Sequence, residues 1–120
     1  MKRFGIFMAG CALTSCATVG ELRDRPPVVD VQSSKTVNQV AGCVSEVWSR
    51  QKSATVNTMV IENGLVVSVG WYYYSNPVTE AVMEVKDEGE YRRVKFFSRA
   101  KKRTQKDIEA YNTMLRPCVQ

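Results

Sequence analysis

The chain has 120 residues, 44% of them hydrophobic, with 17 basic and 12 acidic residues and no histidine. That length supports one domain with one modest core and is short for two. The missing histidine excludes Ser–His and Cys–His nucleophile pairs and every histidine metal site. Carboxylates remain, but Glu80, Glu84, Asp87, Glu88 and Glu90 fall along or at the turn of a hairpin pattern, as solvated residues do. Gly64, Gly70 and Gly89 sit in or beside hairpins and form no phosphate-binding loop. The expectation is a protein that is no enzyme and holds neither cofactor nor metal.

At the amino end, Met1-Lys2-Arg3 supplies a positive segment and Phe4 to Leu13 an apolar one of roughly ten residues, the length of a secretory signal. A bilayer-spanning helix needs about twenty. The apolar stretch closes on Leu13-Thr14-Ser15-Cys16. This resembles the lipobox of bacterial lipoprotein precursors, in which an aliphatic residue and two small ones precede the cysteine that is acylated. Met8-Ala9-Gly10-Cys11 is a poorer match, because it would leave an apolar segment of only about half the usual length. The resemblance implies that residues 1–15 are removed as a signal peptide and that Cys16 carries acyl chains, which would hold the protein on a membrane. Ala17 stands where lipoproteins kept in the inner membrane commonly have Asp, so the resemblance implies an outer-membrane lipoprotein facing the periplasm or the cell surface. Loss of Lys2 and Arg3 leaves 15 basic residues against 12 acidic ones, a net charge of only +3.

Of the four cysteines, Cys11 would be discarded and Cys16 acylated. Cys43 and Cys118 then remain in an oxidising compartment, where paired cysteines form disulfides. A Cys43–Cys118 bridge is expected, and two separate thiols are the competing reading. Residues 16–34 show no helical period and contain Pro26-Pro27, which exclude helix and favour extended backbone. They read as a flexible tether to a folded domain over 35–120.

Thr36 caps a predicted helix of about fifteen residues, with Gln39 completing a capping box. Val37, Val40, Ala41, Val44, Val47 and Trp48 form its apolar stripe, and Cys43 borders it. After Ser53 the period becomes two. Asn63-Gly64 between two β-rich runs predicts a hairpin with Glu62 paired to Leu65, Val60 to Val67, Thr58 to Val69 and Val56 to Trp71. A second hairpin runs from Thr79 to Lys86 and from Tyr91 to Ser98, turning at Asp87-Glu88-Gly89-Glu90. Pairing Lys86 with Tyr91 puts Ala81, Met83, Val85, Val94 and Phe96 on one face and Glu84 opposite Arg93 on the other. Thr104 with Asp107 predicts a last helix, with Ile108, Tyr111 and Leu115 along its stripe until Pro117 stops it, just before Cys118. The predicted fold is α+β in the order α-β-β-β-β-α, an antiparallel sheet of two hairpins with both helices on one face.

Two features carry binding hypotheses. Arg92, Arg93, Lys95, Arg99, Lys101, Lys102, Arg103 and Lys106 occur without an intervening acid, which predicts a positive patch for an anionic envelope surface or an acidic partner, with a solvated loop as the alternative. In Trp71-Tyr72-Tyr73-Tyr74, alternation sends Trp71 and Tyr73 to the core and leaves Tyr72 and Tyr74 on the other face, as candidate exposed aromatics for docking sugars or proteins.

The helix holding Cys43 and Trp48, the four strands and the terminal helix ending at Cys118 together resemble small bacterial envelope lipoproteins, some of them prophage-encoded. The expectation is a lipid-anchored envelope protein acting as a binding module, its partners the membrane and an anionic envelope component or protein. An exclusion or inhibitor lipoprotein of the prophage type is the alternative. A cytosolic nucleic-acid binder would use the same basic run with the aromatics, and it requires the signal reading to fail.

Overall fold

The computed structural model describes residues 18–100 and 105–120, so the lipobox, Cys16, Lys101, Lys102, Arg103 and the cap Thr104 lie outside the described residues. The elements are α1 (Val19–Arg23), β1 (Val29–Ser33), α2 (Val37–Ser49), β2 (Thr55–Ile61), β3 (Gly64–Tyr73), β4 (Asn76–Asp87), β5 (Arg92–Ser98) and α3 (Gln105–Val119). The strands form one antiparallel sheet in the order β1-β5-β4-β3-β2.

The α+β class holds, and the two long helices cover one face as expected. There Val40, Ala41, Val44 and Trp48 of α2, with Leu115 and Cys118 of α3, pack on Val67, Val69, Ala81, Met83, Val85, Val94 and Phe96 of the sheet. Trp48 lies 5.9 Å from Phe96, ring centroid to centroid. The capping box forms as predicted: the Gln39 amide donates to Thr36 Oγ1 at 3.1 Å, and the Thr36 amide donates to Gln39 Oε1 at 2.9 Å. Cys43 is bonded to Cys118, with Cα atoms 5.4 Å apart, and ties α2 to α3.

Residues 18–34 are not a tether. Thr18 caps α1 through its hydroxyl, and Leu22 is fully buried with Val66, Val82 and Phe97 on the second face of the sheet. The neighbouring Arg23 reaches Glu84 at 2.8 Å. Pro26-Pro27 then give way to β1, a fifth strand paired with β5 from Val29↔Phe96 to Ser33↔Arg92. A five-residue helix is too short to show a period, but Val29-Asp30-Val31-Gln32 does alternate, and that signal was legible.

Both predicted hairpin registers are offset by two residues. The first pairs Ile61 with Gly64, so Glu62-Asn63 is the loop, with Asn63 in the left-handed region at φ 61°. Gly64 is needed elsewhere: a Cβ there would strike the carbonyl oxygen of Val85 on β4. The second hairpin pairs Lys86 with Arg93 and Glu84 with Lys95, and it turns over residues 88–91. A shift of two preserves side-chain parity, so the predicted faces survive although the partners change. Pro117 does not end α3, which runs on to Val119. Its last turn is held from outside, by Ser33 Oγ donating to the Val119 carbonyl at 2.6 Å and Lys35 Nζ to the Pro117 carbonyl at 3.0 Å.

Candidate functional site

The third hairpin, β3 with β4, outruns its neighbours. β2 accompanies β3 only to Gly70, and β5 accompanies β4 only to Ala81. Beyond those points Trp71↔Val78, Tyr72↔Pro77 and Tyr73↔Asn76 continue as a two-stranded ribbon closed by Tyr74-Ser75. Pro77 is tolerated because β4 has no β5 beside it there. The ribbon begins at a bulge: Val69 pairs with Ala81 but Gly70 with Thr79, leaving Glu80 over. Any side chain at Gly70 would strike the Val78 carbonyl, so the strands approach closely at this bend.

Tyr72 and Tyr74 are exposed, at 65% and 85%. Trp71 and Tyr73 were expected in the core, yet they too are exposed, at 38% and 63%. Their parity is that of the core face, but the core packing ends at Val69 and Ala81, so among the described residues nothing covers the strands farther out. Tyr73 and Tyr74 meet edge to face at 4.7 Å. Tyr74 opens the two-residue loop at φ 59°, a left-handed conformation ordinarily supplied by glycine or asparagine, and for a bulky residue an outlier of the kind found where function constrains a turn. Trp71, Tyr73 and Val78 line one side of the ribbon around an open cavity of about 250 Å³, with Arg99 at its rim. Tyr72 and Pro77 border a smaller cleft of about 70 Å³ on the other side.

Among the described residues, the basic run does not form one free patch. Arg92 donates to the carbonyls of Lys35 and Ser34 at 2.8 and 3.0 Å and pairs with Asp87 at 3.3 Å, bracketing the β4–β5 turn against the start of α2. Arg93 clamps both oxygens of Asp30, at 2.9 and 2.8 Å. Arg99 pairs with Glu80, the bulge residue, at 3.3 Å. Lys95 is half-buried between Asp30 and Glu84 in strand register, and Lys106 is exposed on α3. The run lacks acids in sequence, but three of its arginines receive them from β1 and β4.

Hydrogen bonding from Arg93 holds the Asp30 carboxyl below its usual range, and the Asp30 carboxylate in turn raises Arg93. Asp87 is lowered by the Gly89 amide first and then by Arg92. Both carboxyls are more acidic folded than unfolded, so their stabilising effect is complete above the ordinary carboxylate pKa and fades as pH falls through the folded values. Urea midpoints at pH 7 and pH 3 should therefore fall with acid, and Asp30→Asn should flatten that dependence. An Asp30→Asn chain with the full acid loss would remove the pair from the account.

Among the described residues no group of three or more Cys, Asp or Glu side chains is placed to hold a metal, and no helix is long and apolar enough to cross a membrane. Comparison with protein-family models, curated proteins and solved structures finds no match.

The ribbon is separable from the core. Replacing Tyr72 by Ser and Tyr74 by Gly loses one edge-to-face contact, worth about 0.5–1.5 kcal/mol, and relieves left-handed strain of about 1–2 kcal/mol. The double variant should melt within a few degrees of the parent in a thermal scan. A large drop would mark the tyrosines as structural.

Proposed function

We propose that the protein is a lipid-anchored component of the cell envelope that acts by binding, with the Trp71–Tyr74 ribbon as its contact surface. The observation that carries this reading is four consecutive aromatic side chains exposed at the end of a ribbon that the core does not need. Trp and Tyr provide large, stiff contact area with a polar edge, the side chains enriched where proteins dock on partners or at membrane interfaces. Arg99 also lines the Trp71 cavity, but its pairing with Glu80 leaves the apolar faces of Trp71, Tyr73 and Val78 as the main contact.

The lipobox resemblance at Leu13-Thr14-Ser15-Cys16 supports the anchor. Ala17 alone separates Cys16 from Thr18, whose hydroxyl caps α1. Two residue steps span at most about 7 Å, so acyl chains on Cys16 would hold the folded domain against the bilayer instead of at the end of a tether.

Intact mass of the chain expressed in a Gram-negative host, beside Cys16→Ser, tests the anchor. The expected result is an acylated chain beginning at Cys16. An unprocessed precursor would overturn the envelope reading and bring the nucleic-acid reading forward. For the ribbon, photo-crosslinking from position 72 in cells should capture a partner, and the capture should be lost when Trp71, Tyr73 and Tyr74 are replaced by Ser. Equal capture by that variant would exclude the ribbon as the contact.

A further inference from the structure

The two edges of the sheet are built differently. β1 is five residues long and carries Asp30, which is clamped by Arg93; its last residue, Ser33, is bonded to the end of α3. The opposite edge, β2, is seven residues long, Thr55-Val56-Asn57-Thr58-Met59-Val60-Ile61, with no charge and no proline. β2 pairs only with β3, so its outer row of N–H and C=O groups has no strand beside it among the described residues. Val60 is 80% exposed and Met59 46%. An uncharged apolar edge of this length is a template for pairing with another strand, and monomeric proteins guard such edges with Lys, Pro or a bulge. None of these occurs in β2.

The β2 sequence is complementary to itself. Antiparallel pairing about a two-fold axis at Thr58 sets Thr58 against Thr58 of a second copy, Val56 against Val60, and Asn57 against Met59. A perpendicular two-fold keeps each face on its own side, so the exposed Val60 of one copy would lie beside the half-buried Val56 of the other, at the margin of the α2-covered core. Cross-strand apolar and Thr–Thr pairs of this kind are favourable. The same axis brings Glu62, just past one end of β2, to the end where the other copy's Lys52 precedes its strand, opposite charges at each end of the seam.

We propose that β2 joins β2 of a second copy of this chain, antiparallel and centred on Thr58, making one continuous sheet of ten strands. The partner is a copy of this chain because the edge is self-complementary in shape and charge; no donor strand of other composition is required.

The test uses the full chain in cells. Thr58→Cys places a thiol on the axis, so a short bismaleimide should produce a species of twice the monomer mass. The unmodified chain and Asn38→Cys, on the outer side of α2, should not give it. Adding Val60→Lys to Thr58→Cys places a charge on the seam at an exposed position that the fold does not use, and the dimer should be lost while the thermal midpoint, measured at a dilution where both chains are monomeric, stays unchanged. A Thr58→Cys chain that remains monomeric, or a dimer that survives Val60→Lys, would overturn the proposal. A cross-link to a protein of different mass would do so as well, by assigning the edge to another partner.

Discussion

Reduction of the Cys43–Cys118 bond should lower the unfolding free energy by about 4 kcal/mol, the loop-closure entropy of a bridge across a separation of 75 residues. A domain of this size has only about 5–15 kcal/mol in all, so the bond accounts for a large part of the total. At roughly 4–8 °C per kcal/mol the thermal midpoint should fall by about 15–30 °C. The loss should also be uneven. Among the described side chains of α3, Leu115 and Cys118 are buried and Met114 and Val119 pack on the core more loosely, while the Ser33 and Lys35 contacts hold its last turn. Amide exchange in α3 should therefore rise before exchange in β3, β4 and β5. Thermal scans with and without reductant, together with Cys43→Ala/Cys118→Ala, measure the effect. A reduced chain melting within two or three degrees of the oxidised one would show that the bridge contributes little beyond packing.

That bond was legible because its argument needed only which two cysteines remain once Cys11 and Cys16 are set aside. The faces of β3, β4 and β5 were legible for a similar reason, since alternation survives a register error of two. The register itself was not. Asn63-Gly64 is the strongest local turn signal, but Gly64 answers to Val85 across the sheet, a contact that no local pattern reports. The exposure of Trp71 was hidden in the same way: alternation gives the side of the strand, whereas cover depends on how far the helices reach. The arginines from Arg92 to Arg99 look unpaired until β1 and β4 bring Asp30, Asp87 and Glu80 beside them. In each case a local pattern gave the residue's direction, and a distant segment decided its environment.

Leu22→Ala tests the largest departure from the sequence reading. On a tether the change would be neutral, because an exposed substitution usually alters stability by less than about 0.5 kcal/mol. Here Leu22 is fully buried against Val66, Val82 and Phe97, and a Leu→Ala change at such a site costs about 2–5 kcal/mol. The lower half of that range is expected, since α1 is five residues long and can settle into part of the space. Losing Leu22 also loosens the helix that carries Arg23 to Glu84, a carboxylate 8% exposed on the second surface with Lys95 as its strand neighbour. Removing one partner of a charged hydrogen bond in a partly buried site costs about 1.5–3 kcal/mol, so Arg23→Met should approach the Leu22→Ala effect. Because the two residues anchor the same short helix, their losses should sum to more than the double variant shows. Urea unfolding of the two single variants and the double one gives all three values. Neutral single variants would return residues 18–34 to the tether, and with it the domain would move away from any membrane to which Cys16 is bound.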